Sequence, residues 1–156
     1  ANVLAREPAA CRQLLSRARR KLAGRDMSQP TRGVAVGFLE RFMTALASGN
    51  AEALVATLAE DVTLWSDGGG QGRAALKPAH GSRAVSRLLL GISRLHPAAR
   101  TQVLWVDGAP MIAVLEAGRV SAALIFACTH QATVHSIYFV TNPEKLGAVA
   151  AALQCS

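Results

Sequence analysis

The chain has 156 residues, of which 51% are hydrophobic and 17% are charged, and its formal net charge is +7. This length suits one ordinary domain with an appendage, and the apolar content excludes global disorder. No uninterrupted apolar stretch approaches the roughly 18 residues that a membrane-spanning helix needs, so we expect no membrane partner. The cysteines Cys11, Cys128 and Cys155 share no metal-ligand spacing. We therefore expect no disulfide framework, no metal, no cofactor and a cytoplasmic location.

The positive charge is concentrated in the first fifth of the chain. Residues 1–33 carry eight basic and two acidic residues, a balance of +6, whereas residues 34–156 carry nine basic and eight acidic residues, a balance of +1. Such an asymmetry predicts parts with different partners. We divide the chain into a basic segment over 1–23, a polar linker over 24–33 and a nearly neutral domain over 34–156.

The basic segment is predicted to form one helix, because Glu7-Pro8 suits a helix start and apolar residues recur at helical spacing from Cys11 to Leu22. Arginine reads guanine, glutamine can read adenine, and further arginines one turn on suit phosphates. The candidate DNA-binding residues are Arg12, Gln13, Ser16, Arg17, Arg19 and Arg20. The alternative is a solvated basic helix.

The neutral domain is predicted to place most of its helices before most of its strands. The predicted helices run from Val34 to Ser48, over 51–58, from a Ser82 cap to Leu95, and from Asn142-Pro143 onward. The predicted strands lie at 62–65, 102–106, 111–116, 120–128 and 133–141, the last four joined by turns such as Ala117-Gly118. This order predicts an α+β fold in which helices lie on the concave side of one curved antiparallel sheet, around an internal pocket.

Both parts resemble known proteins. Residues 9–22 resemble the recognition helix of sigma region four, part of a helix-turn-helix that reads the −35 promoter element. The domain resembles the SnoaL-like group of the NTF2-like fold. Two motifs resemble those of extracytoplasmic-function (ECF) sigma factors with a fused SnoaL-like extension, in which Asp usually stands where this chain has Glu144. These motifs are Asp67-Gly68-Gly69-Gly70 and Asn142-Pro143-Glu144-Lys145-Leu146.

The resemblance implies that the chain is the C-terminal part of such a sigma factor, lacking region two and most of region four. Promoter DNA and the RNA polymerase core are then the expected partners of the full-length protein only. The resemblance also implies that the domain regulates sigma activity through intramolecular contact at the two motifs. Three glycines allow close backbone approach, and Asp67 offers a charge to a basic helix. The alternative is a tight turn and an ordinary helix start. Homodimerisation through the outer face of the sheet is a further expectation.

The same fold leaves two other functions open. Ketosteroid isomerases and polyketide cyclases use an Asp base or an Asp–His pair, but no such set stands out here, so we expect no enzyme. The candidates are Asp61, Asp67, Asp107, His80, His96, His130 and His135. Strand alternation predicts that Tyr138 shares a face with Val134, while His135 lies on the other face. A small-molecule sensor would need an apolar pocket, but its lining residues could equally form the core. These residues are Phe38, Phe42, Trp65, Leu88, Trp105 and Phe126.

Overall fold

The structure is a computed structural model. It describes residues 9, 12, 13, 16, 20, 30–68, 77–106, 109–128 and 133–155. Within the continuous ranges the helices are α1 (Arg32–Ser48), α2 (Ala51–Val55), α3 (Ser82–Leu95) and α4 (Pro143–Cys155). The strands are β1 (Leu58–Asp67), β2 (Ala79–His80), β3 (Arg100–Val106), β4 (Ala109–Glu116), β5 (Arg119–Cys128) and β6 (Val134–Val140).

The six strands form one sheet in the order β2-β1-β6-β5-β4-β3. The meander from β3 to β6 is antiparallel, as predicted, but β1 lies parallel to β6, so the expectation of a wholly antiparallel sheet was wrong. β1 and β6 are far apart in sequence, and nothing in the local pattern indicates that they are neighbours. This parallel pair brings the C-terminal ends of β1 and β6 to the same edge of the sheet.

The ends of the helices follow from local side chains. Thr31 caps α1, and Asn50 caps α2 by accepting a hydrogen bond from the Ala53 amide at 3.0 Å. α2 ends at Val55 rather than at 58, because Leu58 pairs with Val134 and already belongs to β1. The N-cap of α3 is Gly81, with φ of 93°, and not Ser82. The predicted loop before α3 also contains the short strand β2, which pairs with β1.

The sheet separates two hydrophobic cores. α1, α2 and α3 cover one face through residues such as Phe42, Leu54 and Leu89, whereas α4 covers the opposite face through residues such as Leu146 and Val149. The expectation that all helices lie on the concave side was therefore wrong for α4, whose apolar stripe buries Ile125, Tyr138 and their neighbours on the outer face. Homodimerisation through that face stays a prediction, and α4 occupies part of the surface that it would use.

The proposed lining of an apolar pocket is divided between these two cores. The rings of Phe38, Phe42 and Phe126 pack against one another with centroids 5.2 to 5.5 Å apart, which fills the centre of the first core. Trp65 packs against the second core on the opposite face. Packed rings at these distances exclude a ligand from the space between them.

A β-bulge in β6 changes which residues share a face. Cys128 pairs with Val134 and Ala127 pairs with Ser136, so His135 is the extra residue. Val134 consequently belongs to the first core, with Ile137 and Phe139, whereas Tyr138 belongs to the second. The prediction that Val134 shares a face with Tyr138 was therefore wrong, because simple alternation fails across a bulge.

Candidate functional site

The two motifs singled out in the sequence meet at one edge of the sheet. Asp67 ends β1 and pairs with Val140, which ends β6, so the segment from Thr141 onward begins beside Asp67. The amides of Thr141 and Asn142 donate hydrogen bonds to the backbone carbonyl of Asp67 at 2.8 and 3.0 Å. Backbone hydrogen bonds therefore hold the start of the second motif against the first.

The side chain of Asp67 joins the same residues together. Its Oδ2 accepts a hydrogen bond from the Tyr138 hydroxyl at 2.8 Å and forms an ion pair with the Lys145 ammonium. The Asp67 and Lys145 side chains are only 16% and 22% exposed. Such partial burial strengthens a charge-assisted contact, since solvent screens it less than it screens a surface pair. We call Asp67, Tyr138, Asn142 and Lys145 the Asp67 junction.

Asn142 and Leu146 fix the remainder of the second motif. Asn142 Oδ1 accepts a hydrogen bond from the Glu144 amide at 3.1 Å, and Pro143 occupies the first position of α4. Leu146 is buried in the second core, whereas Pro143 and Glu144 are exposed. The exposed part of the motif is thus held between a helix cap and a buried anchor.

In the first motif, Asp67 and Gly68 are half-buried, and Gly69 and Gly70 lie outside the described residues. The sequence predicts that Asp67 offers its charge to a basic helix. In the structure, Lys145 already forms an ion pair with the Asp67 carboxylate and would compete with such a helix. In sequence, Asp67, Lys145 and Tyr138 fall in separate predicted elements. Only the parallel pairing of β1 and β6 could have indicated that they meet.

The candidate DNA-binding residues that the structure describes are helical. Gln13, Ser16 and Arg20 are exposed and Arg12 is half-buried, whereas Arg17 and Arg19 lie outside the described residues. Positions 13, 16 and 20 follow helical spacing and therefore share one face. This face carries a glutamine, a serine and an arginine toward solvent, which is a chemistry suited to a nucleic acid.

The described candidates for acid–base catalysis are dispersed. His80 Nδ1 lies 3.2 Å from Thr63 Oγ1, His96 Nδ1 lies 2.6 Å from Glu116 Oε1, and buried His135 lies beside Ser136. Asp61 is exposed, and Asp107 and His130 lie outside the described residues. The Tyr138 hydroxyl and Asp67 contact each other at the outer face and are not directed into the aromatic-filled first core.

Among the described helices, none is both long and apolar enough to span a membrane.

Comparison with known proteins gives one curated relative. The ECF RNA polymerase sigma factor SigJ from Mycobacterium tuberculosis is 31% identical over 161 residues, which cover 93% of this chain and 50% of SigJ. The chain thus spans about half the length of the curated relative that it matches. No family model matches the chain.

Solved structures agree with this relationship. The crystal structure of Mycobacterium tuberculosis SigJ matches with a TM-score of 0.57 and 25% identity, over 90% of this chain and 50% of that one. A SnoaL-like protein of unknown function from Burkholderia thailandensis matches with a TM-score of 0.53 and 18% identity, over 70% and 95% of the two chains. A steroid delta-isomerase from Pseudomonas aeruginosa matches with a TM-score of 0.53 and 16% identity, over 81% and 93%.

The last two matches establish the fold alone, whereas SigJ matches in both sequence and structure. The curated relative is a sigma factor, and proteins of the same fold include an isomerase. The predicted resemblance is confirmed: the chain is a relative of the ECF sigma factor SigJ, matched over half of that protein, and its domain has the SnoaL-like α+β fold.

Proposed function

We propose that the chain acts within an ECF sigma factor in transcription initiation. Its relationship to SigJ supports this function and, with it, RNA polymerase core and promoter DNA as partners in the cytoplasm. The basic helix contributes to recognition of the −35 element. The exposed face with Gln13, Ser16 and Arg20 supports that role, because it presents hydrogen-bonding and cationic side chains together.

The SnoaL-like domain modulates sigma activity by intramolecular contact with the sigma regions. The observation that carries this proposal is that both motifs, 78 positions apart at Asp67 and Lys145, form one structural unit. Because Asp67 and Lys145 pair with each other, they position the contact surface and do not supply its charge. The exposed Pro143 and Glu144 provide the described part of that surface, and Gly69 and Gly70 of the first motif lie outside the described residues.

Transcription with purified polymerase core and the complete sigma factor tests this division of roles. Asp67→Asn weakens the junction, and Glu144→Lys changes the exposed surface while Lys145 and Leu146 stay in place. Glu60→Lys is the matched control, because Glu60 is exposed on β1 and lies outside both motifs. We expect both motif variants to change promoter output and the control to leave it unchanged.

If all three variants transcribed like the parent, the contact proposed for this edge of the sheet would be wrong. Deletion of α4 is a poorer test, since it also removes Leu146, Val149 and Ala152 from the second core. Loss of activity in such a truncation would report unfolding as readily as loss of contact.

A further inference from the structure

A groove between α2 and α3 lies apart from both motifs. Its volume is about 160 Å³. Its lining includes the apolar residues Val55 and Leu90, the hydroxyl of Ser86, and the charged residues Arg83, Arg87 and Arg94. Residues 83, 87, 90 and 94 recur at helical spacing, so one face of α3 forms most of one wall. The groove therefore combines an apolar surface with a row of guanidinium groups.

The charges along this groove are unbalanced. Three arginines line it against one carboxylate, and that carboxylate, Glu52, lies 3.4 Å from Arg83. In the part of the chain that the structure describes, no carboxylate lies within ion-pair distance of Arg87 or Arg94. α3 also has no acidic residue in its first turn. The groove is thus electrostatically complementary to an anion.

Ser86, which also lines the groove, has a buried hydroxyl group. This residue is 1% exposed, and its hydroxyl has no hydrogen-bond partner among the described residues. Buried hydroxyl groups are nearly always hydrogen-bonded, because an unsatisfied one loses its contact with water without compensation. A ligand oxygen in the groove that Ser86 lines would accept this hydrogen bond.

We propose that this groove binds a small organic anion, a carboxylate or phosphate with a compact apolar body. Arg87 and Arg94 hold the oxyanion, Ser86 donates a hydrogen bond to it, and the apolar body lies against Val55 and Leu90. Arginine is suited to this role because its planar donors match the geometry of carboxylate and phosphate oxygens. The site is separate from the aromatic-filled core and does not depend on the proposed regulatory contact.

Isothermal titration calorimetry of the 156-residue chain tests the proposal with phenyl phosphate, phenylacetate and inorganic phosphate. We expect one of the aromatic anions to bind more tightly than inorganic phosphate, and the comparison between them decides between the two headgroups. Arg87→Gln should weaken binding about tenfold or more, and Ser86→Ala about three- to tenfold, as expected for lost charged and neutral hydrogen bonds. Arg119→Gln is the matched control, since Arg119 is exposed in the β4–β5 hairpin.

Ser86→Ala also separates a binding role from a structural one. If the hydroxyl serves only the ligand, the variant should keep or raise the melting temperature while it loses affinity. The proposal is overturned if no aromatic anion binds, or if Arg87→Gln and Arg119→Gln weaken binding equally. It is also overturned if duplex DNA binds in an Arg87-dependent manner while the small anions do not, which would assign the groove to phosphate-backbone contact.

Discussion

Asp67 and Lys145 stand 78 residues apart in the chain, yet their side chains form an ion pair that is mostly shielded from solvent. Arg83 and Glu52 form the contrasting pair, with side chains 72% and 78% exposed. The two pairs differ in burial far more than in chemistry. They therefore allow the contribution of the Asp67 junction to stability to be measured against an internal reference.

Lys145→Met should lower the free energy of unfolding by about 1–3 kcal/mol, because Asp67 would keep its charge in a largely buried position without its cation. Arg83→Met should change it by about 0–1 kcal/mol, since exposed ion pairs contribute little. Urea denaturation of the two variants and the parent measures the difference. Equal losses in both variants would show that the burial of the Asp67 pair has no energetic consequence.

Because the Cys128 thiol is buried, we expect the free energy of unfolding to fall at alkaline pH. Burial raises the pKa of Cys128 from 9.0 to about 12, because the apolar surroundings disfavour the thiolate. Since the folded pKa exceeds the unfolded one, the stabilisation is complete below pH 9. It is lost as the pH rises from about 9 to 12, by at most roughly 1.4 kcal/mol per pH unit. Denaturation midpoints of the parent and Cys128→Ala across this range should differ in slope, and parallel curves would refute the effect.

The β4–β5 hairpin offers two adjacent substitutions with opposite expected signs. Ala117 has φ of 51° and Gly118 has φ of 76°, as a type I′ turn requires at both central positions. Ala117→Asn should stabilise the domain by about 0.5–1 kcal/mol, because Asn tolerates this conformation better than Ala. Gly118→Ala should destabilise it by about 1 kcal/mol. Thermal denaturation of both variants tests the turn, and shifts of the same sign would contradict this turn geometry.

As part of the proposed sigma factor, the basic helix should separate sequence recognition from general affinity. Arg12→Ala should relax preference at one promoter position by about 1–3 kcal/mol, whereas Arg20→Ala should weaken binding to all sequences and reduce its salt dependence. Electrophoretic mobility shifts on −35 variants at several salt concentrations distinguish the two effects. Unchanged promoter preference in Arg12→Ala would count against the proposed recognition role.

The sequence was sufficient to predict elements whose signals are local. Asn142-Pro143 marks the start of α4, and Ala117-Gly118 marks a turn. The SnoaL-like fold and the relationship to ECF sigma factors were also predicted correctly. These features follow from residues close together in the chain, or from motifs that can be compared directly.

Non-local relationships could not be predicted in the same way. Strand β1 has no local feature that indicates its parallel pairing with β6, so the contact of Asp67 with Tyr138 and Lys145 was missed. The bulge at His135 shifted Val134 to the other face, which no alternation rule anticipates. The groove at Ser86 depends on how α2 packs against α3, and its cationic residues resemble an ordinary solvated helix face when seen in sequence.

The parallel pairing of β1 with β6 also determines when the proposed contact surface can form during synthesis. β1 is the first strand in the sequence, whereas β6, with which it pairs, is the last and ends at Val140. Contacts between such distant segments close large loops and form slowly. During synthesis, Asp67 emerges from the ribosome long before Tyr138 and Lys145 do. The proposed contact surface therefore cannot assemble before α4 has left the ribosome, and any restraint that it exerts begins only then.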